Sequence, residues 1–162
     1  DAYLPAAKCA LAESLIQEAS LKRDTTEATD LIVLNARDIR IACRIRRSKY
    51  YPQYADEFTI RYHRDNGYKT EWSKIVDGWG DWMFYGFADA YEPGVLAQWT
   101  IFDLSAFRAT LIRDGLSSIE TGEKHNGDGT YFRWVKVSSL PKSCIVAADW
   151  ITHPLRMSST VR

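Results

Sequence analysis

The most regular stretch of the sequence is IRIACRIR, residues 39–46. Isoleucine and cysteine occupy its odd positions, whereas three of its four even positions are arginine. Because neighbouring side chains of a β-strand point to opposite faces of a sheet, this alternation predicts a strand with one apolar and one cationic face. The apolar face is expected to join the core, and the cationic face, with Arg40, Arg44 and Arg46, is a candidate functional surface.

Further strands are predicted on both sides of this stretch. The β-branched run at residues 31–34 follows Asp30 and predicts a buried strand. Residues 57–63 alternate again and end at the turn signal Asp65-Asn66-Gly67, so we expect them to pair with residues 39–46 as a hairpin or meander. Three aromatic-rich segments predict the remaining strands, at residues 81–87, 96–102 and 131–137. The polar residues 120–129 between them predict a loop.

Helical spacing of apolar residues predicts a helix over residues 4–22, a short one over 71–77 and a third over 103–113. The element order is thus helix, three strands, short helix, two strands, helix, strand. This order predicts an α/β fold with a central mixed β-sheet, flanked by the first helix on one side and the third on the other.

Length and composition predict one folded domain over residues 1–150, followed by an irregular C-terminal tail at residues 151–162. The 162 residues are 46% hydrophobic and include six Trp, which excludes intrinsic disorder. Twenty-one basic residues balance twenty-one acidic ones. With zero net charge there is no chain-wide basic field, so any site for nucleic acid must be local.

The remaining composition bears on compartment and chemistry. The three cysteines are far apart in the chain, which favours buried thiols in a reducing cytoplasm over a disulfide framework. No apolar run approaches the about 18 residues that a membrane helix needs, so a cytoplasmic protein without a membrane partner is expected. A start at Asp1 rather than Met is typical of an excised domain or processed product. The three histidines lack zinc spacing and no GxSxG motif occurs, which argues against a zinc enzyme or serine hydrolase.

The arrangement of Asp30 before one strand and Cys43-Arg44-Ile45-Arg46 on the next resembles the core of the PD-(D/E)XK, or restriction-endonuclease-like, superfamily. The segments GDWMFY at 80–85 and WTIFDL at 99–104 look like those of compact, often phage-encoded members. The likeness is one of element order and spacing over nearly the whole chain. It implies a restriction-endonuclease-like fold and an endonuclease that acts on DNA, with a homodimer as one expected assembly.

In that family an aspartate and a glutamate bind Mg²⁺ or Mn²⁺, and a lysine orients the attacking water. Here Arg44 and Arg46 stand where the acid and the lysine would be, and arginine neither coordinates a cation nor loses its proton. One interpretation is that a carboxylate has migrated, with Glu13, Glu57 and Glu71 as candidates. The resemblance then implies a catalytic set of Asp30, Glu57 and Arg46, and metal ligands Asp30, Glu57 and Glu13.

A second interpretation is that catalysis is lost and the cationic face binds nucleic acid or a protein partner, since guanidinium groups pair with phosphate oxygens. The predicted contact residues are Arg40, Arg44, Arg46, Arg47, Lys49 and Tyr51. Tyr50 and Tyr54, in the same loop, are candidates for base stacking. A third interpretation is that a generic α/β sheet mimics the nuclease fold, and a structural or inhibitory protein that engages another protein is the remaining class.

Each candidate residue also has a purely structural interpretation. The arginine face is equally typical of an ion-paired or solvated strand face. Asp30 at a strand start is typical of a turn or cap. Glu57 is suited to pair with an arginine of the preceding strand, and Glu71 with Lys74 on a helix surface. Most of the tryptophan and phenylalanine side chains are expected in the core.

Overall fold

The computed structural model describes residues 2–18, 31–33, 39–65 and 67–149. Asp30 and the predicted tail at residues 151–162 lie outside these described residues, as do residues 19–22 of the first predicted helix. Within the described ranges, none of the helices is both long enough and apolar enough to cross a membrane.

The described residues form α-helices close to the three predicted positions. They are α1 (Leu4–Leu15), α2 (Glu71–Val76) and α3 (Leu104–Asp114). Helix α3 begins where the Asp103 carboxylate accepts hydrogen bonds from the backbone N–H groups of Ser105 and Ala106 at 2.8 and 2.9 Å. Helix α1 is shorter than predicted, because the chain after Leu15 turns into a strand that gains its hydrogen bonds from a partner strand.

That partner pair is a small antiparallel ribbon of β1 (Ile16–Glu18) and β2 (Leu31–Val33). Two larger sheets hold the other strands. The bounds of these strands are β3 (Ile41–Arg46), β4 (Glu57–Arg64), β5 (Trp82–Ala88), β6 (Leu96–Asp103), β7 (Thr121–His125), β8 (Thr130–Lys136) and β9 (Ile145–Ala148). The mixed α/β class is therefore confirmed.

The pairing of the strands differs from the predicted single central sheet. Strand β3 pairs in parallel with β5 in a four-stranded sheet of order β3-β5-β6-β9, whose other pairs are antiparallel. Strand β4 pairs with β8 in an antiparallel sheet of order β4-β8-β7. The predicted β3–β4 hairpin is thus wrong, because the ten residues between the two strands carry the chain from one sheet to the other.

The main core lies between the two larger sheets and includes α3. Phe58, Ile60 and Val135 of the three-stranded sheet meet the buried side chains of β5 and β6, and Phe107 of α3 packs with them. A second core forms on the opposite face of the four-stranded sheet, where α1 covers Phe84 and Ile101. Helices α1 and α3 therefore flank the four-stranded sheet on opposite sides, as the element order predicted.

The alternation in residues 39–46 determines which way β3 faces. Ile41 and Ile45 pack in the second core beside α1, whereas Ala42 packs in the main core on the other face. Arg44 and Arg46 share the face of Ala42 because the side-chain period of a strand is two. The cationic face thus points toward the three-stranded sheet. Cys43 is exposed, as is Cys9, so the expectation of buried thiols holds only for Cys144.

Candidate functional site

Arg44 joins the two larger sheets to helix α2. Its Nη1 donates to the carbonyl oxygen of Thr59 at 2.9 Å, and its Nη2 donates to Glu71 Oε2 at 2.6 Å. The same carboxylate oxygen accepts the backbone N–H of Arg61 at 3.2 Å. Both charged side chains are about three-quarters buried, at 29% and 26% exposure. Arg44 is therefore ion-paired as the structural interpretation predicted, with Glu71 rather than Glu57 as its partner.

Three adjoining clefts run along the junction of β3 and β4. The central cleft, of about 330 Å³, lies among Arg46, Arg47, Tyr50, Arg61 and Tyr131. The aromatic cleft, of about 320 Å³, shares Arg46 and Tyr50 with it. The distal cleft, of about 440 Å³, lies on the α2 side, and Arg44 and Arg61 line both it and the central cleft. We call the three clefts together the basic groove.

The basic groove concentrates positive charge in a chain with no net charge. Its cationic side chains are Arg44, Arg46, Arg47, Arg61, Arg64, Lys69, Lys74 and Lys124, and its carboxylates are Glu57 and Glu71. Arg44 is neutralised by Glu71 and Lys69 by Asp77, at 2.6 and 2.7 Å. The other six cations form no salt bridge with any carboxylate of the described residues.

Arg46 lies against tyrosine rings at the wall of the groove. Its guanidinium carbon is 4.1 Å from the ring centre of Tyr50 and 5.7 Å from that of Tyr54, and Lys49 Nζ is 5.1 Å from Tyr50. Such stacking orders a guanidinium while its N–H groups stay free to donate at the ring edge. Tyr51, by contrast, packs against the buried Phe87 at 5.8 Å between ring centres.

The floor of the aromatic cleft is the outer face of the three-stranded sheet. Phe132 and Trp134 alternate along β8 with the buried Arg133 and Val135, so they point away from the core. The Trp134 ring lies over Gly122 of β7, where a Cβ atom would stand only 2.6–2.8 Å from three adjoining ring atoms. Gly122 therefore provides the space that the indole of Trp134 occupies against the sheet.

Glu57 is the carboxylate of the aromatic cleft. It opens β4 opposite Lys136, and Arg46 lines the same cleft. Burial raises the pKa of its carboxyl group, against the opposing effect of Lys136 and Arg46. Lys136 itself is paired with Glu120, with Nζ 2.7 Å from the carboxylate oxygen. Among the described residues Glu57 forms no salt bridge, which leaves its oxygens available to a ligand.

The structure brings only some of the predicted catalytic residues together. Glu57 and Arg46 line one cleft, whereas Glu13 is exposed on α1, which packs on the opposite face of the four-stranded sheet. Glu13 and Glu57 therefore do not share a site. Asp30 lies outside the described residues. Within the ranges that the structure describes, no three His, Cys, Asp or Glu side chains are grouped so that they could hold a metal ion.

Only some of the predicted nucleic-acid-binding residues line the basic groove. Arg44, Arg46 and Arg47 line the basic groove, whereas Arg40 lies just before β3 and is held by Asp81, with Nε 3.1 Å from the carboxylate. Arg40 lowers the pKa of Asp81 through this hydrogen bond.

The sequence analysis did not identify five cations of the groove, namely Arg61, Arg64, Lys69, Lys74 and Lys124. The alternation of residues 57–63 could have placed Arg61 on the same face as Glu57. No comparable signal existed for Lys124, because β7 was predicted as a loop. Comparison with family models, curated proteins and solved structures finds no match to this chain.

Proposed function

We propose that this protein binds nucleic acid in the basic groove. The observation that supports the proposal most directly is the cluster of six cations that form no salt bridge among the described residues, in a chain with no net charge. Guanidinium and ammonium groups gathered along one groove suit a phosphate backbone, and release of its counterions provides the driving force.

The length of the groove suits a short stretch of backbone. It follows β4 from Glu57 to Arg64, which at the usual strand rise corresponds to roughly 23 Å. Cations lie along this path rather than at one point, with Arg46 and Lys124 at one end and Arg64 and Lys74 at the other. A polymeric anion contacts all of them at once, whereas a single small anion contacts only one cleft.

We also propose that the α/β arrangement is a divergent form of the restriction-endonuclease-like fold, with DNA as the nucleic acid. The element order and the mixed sheet with α1 and α3 on opposite faces support this relationship. The two substitutions to arginine at positions 44 and 46 then mark the change from metal chemistry to phosphate binding. Arg46 contributes a cation without a salt bridge among the described residues to the groove. Arg44 connects the walls of the groove through its hydrogen bonds to Thr59 and Glu71.

Mg²⁺-dependent hydrolysis of DNA is a second candidate function. Glu57 favours it, because this carboxylate lies in the groove without a salt bridge among the described residues. One carboxylate does not by itself make a Mg²⁺ site, and the two described carboxylates near it are already engaged, Asp56 by the backbone N–H of Ser138 and Glu120 by Lys136. The hypothesis therefore requires Asp30. It predicts Mg²⁺-dependent cleavage that Asp30→Asn and Glu57→Gln each abolish while binding persists.

Fluorescence anisotropy with labelled single-stranded and duplex DNA tests the binding proposal. Arg46→Ala combined with Arg61→Ala is expected to weaken binding by at least tenfold, because two phosphate contacts are lost. Arg113→Ala, on the exposed end of α3, removes a cation away from the groove and is expected to leave the affinity within twofold. Equal affinities for the wild type and the double variant would refute the proposal.

A further inference from the structure

We propose that the aromatic cleft holds one unstacked guanine of a single strand, with Glu57 accepting hydrogen bonds from its Watson–Crick edge. This inference rests on the proposed nucleic-acid binding and names the ligand more closely. It would make one end of the basic groove a base-reading site and the rest a backbone-binding site.

The stacking surface consists of Phe132 and Trp134. These rings are two residues apart on one face of β8, roughly 7 Å along the strand, and both line the cleft. The Trp134 indole packs closely against Gly122 and also lines the cleft, so the ring is held in place beside a ligand. An aromatic face of this kind stacks on a nucleobase, whereas in a duplex the base faces are already covered by neighbouring base pairs.

Arg46 and Lys124 bind the phosphate next to the stacked base. Both line the aromatic cleft, and neither forms a salt bridge within the described part of the chain. Stacking on Tyr50 orients the Arg46 guanidinium before any ligand arrives. A nucleotide has a charged phosphate and a flat apolar base, and the cleft offers cations and aromatic rings within one volume of about 320 Å³.

Glu57 is the feature that points to one base. A carboxylate in a phosphate-binding cleft repels the backbone, so its presence favours a ligand that also donates hydrogen bonds to it. Guanine presents two adjacent donors, N1–H and the 2-amino group, which match the two oxygens of a carboxylate. Thymine has one such donor between two carbonyl oxygens that repel the carboxylate. The half-buried position of Glu57 strengthens this discrimination, because hydrogen bonds to a charged group gain strength away from water.

The test uses labelled thymidine decamers that carry one central guanine, hypoxanthine or adenine, with binding measured by anisotropy in EDTA. Hypoxanthine lacks only the 2-amino group of guanine, so the pair isolates one contact. The wild type is expected to bind the guanine decamer about fivefold or more tightly than the hypoxanthine decamer. Glu57→Gln should remove that preference without weakening binding of the hypoxanthine decamer, since it removes a repulsive charge.

Two further variants control this experiment. Glu13→Gln makes the same charge change on the exposed side of α1, on the opposite face of the four-stranded sheet, and should keep the guanine preference. Trp134→Leu should weaken binding of all three decamers about fivefold or more through lost stacking. Circular dichroism and thermal unfolding establish that each variant is folded.

The outcomes separate this inference from the proposed function. Absence of salt-sensitive binding to every decamer would overturn both. Binding that depends on Arg46 but shows no guanine preference would overturn the inference and leave the proposed function standing. A Glu57 effect that appears only when Mg²⁺ replaces EDTA would also overturn the base contact, and would favour the hydrolytic candidate instead.

Discussion

We expect Arg44 of β3 to stabilise the fold and Arg46 of the same strand to bind nucleic acid. Replacing Arg44 by methionine tests the first of these roles. Methionine keeps most of the apolar stem but removes both donated hydrogen bonds, to Thr59 and to Glu71. Hydrogen bonds to charged groups contribute roughly 1.5–3 kcal/mol when buried. Because both side chains of the Arg44–Glu71 pair remain about a quarter exposed, solvent screening reduces this contribution, and we expect a loss of about 1–2 kcal/mol in the free energy of unfolding.

Arg46→Met is the matched control, since it makes the same change two residues along the same face of β3. Arg46 contacts Tyr50 and Tyr54 but forms no salt bridge within the described ranges, so its loss should cost about 0.5–1 kcal/mol at most. For binding we expect the opposite order: Arg46→Met should weaken nucleic-acid affinity severalfold while Arg44→Met acts mainly through stability.

Urea unfolding followed by circular dichroism measures these differences, and a double-mutant cycle with Glu71→Gln isolates the pair. Arg44→Met and Glu71→Gln should show a coupling energy of about 1 kcal/mol or more, because each variant leaves the other, largely buried side chain without its partner. A coupling energy below about 0.3 kcal/mol, or equal destabilisation by Arg46→Met, would refute the assignment of Arg44 as the link between the sheets.

Three further predictions concern single positions. Asp103→Ala removes the acceptor that caps α3 and should cost about 1 kcal/mol in thermal unfolding; an unchanged Tm would contradict this. Gly122→Ala places a Cβ within 2.6 Å of the Trp134 ring and should cost about 1 kcal/mol and shift the tryptophan fluorescence; an unchanged spectrum would argue against the close packing of the indole on Gly122. Because burial raises the pKa of Glu57, the folded state holds that proton more tightly, and the stability contributed by this group falls as the pH rises through its pKa. Glu57→Gln should therefore raise Tm relative to the wild type more at pH 7 than at pH 4, and the reverse order would contradict the shift.

The orientation of β3 could be predicted from sequence, but its partner strand could not. Period-two alternation in residues 39–46 is a local property, and it correctly placed Arg44 and Arg46 on one face. In the β3–β5 pair, Ile41 lies opposite Trp82, which is far from it in the sequence. A local pattern instead favours pairing with β4, the next strand along the chain. The choice is made by core packing, because Met83 and Tyr85 must meet Phe58 of the other sheet.

The candidate site was predictable only where it lies on alternating strands. Arg46 and Glu57 were identified from such patterns and line one cleft. Lys124 was missed because TGEKH, the sequence of β7, has no large apolar residue and forms a strand through its hydrogen bonds to β8. The resemblance to the nuclease superfamily placed Glu13 in the same metal site as Glu57, yet α1 packs on the other face of the sheet. The path of the chain between a helix and its sheet decides which face of the sheet the helix covers. The spacing of residues within the helix does not predict that path.

The salt dependence of DNA binding tests the central claim most directly. The logarithm of the association constant, measured between 50 and 200 mM NaCl, is expected to fall linearly with the logarithm of the salt concentration, by about 0.7 in slope for each phosphate that the groove contacts on a single strand. Arg46→Ala should lower that slope by about 0.7, whereas Arg113→Ala should leave it unchanged. A slope near zero for the wild type, or the same slope in the Arg46→Ala variant, would contradict the assignment of the basic groove as a nucleic-acid-binding site.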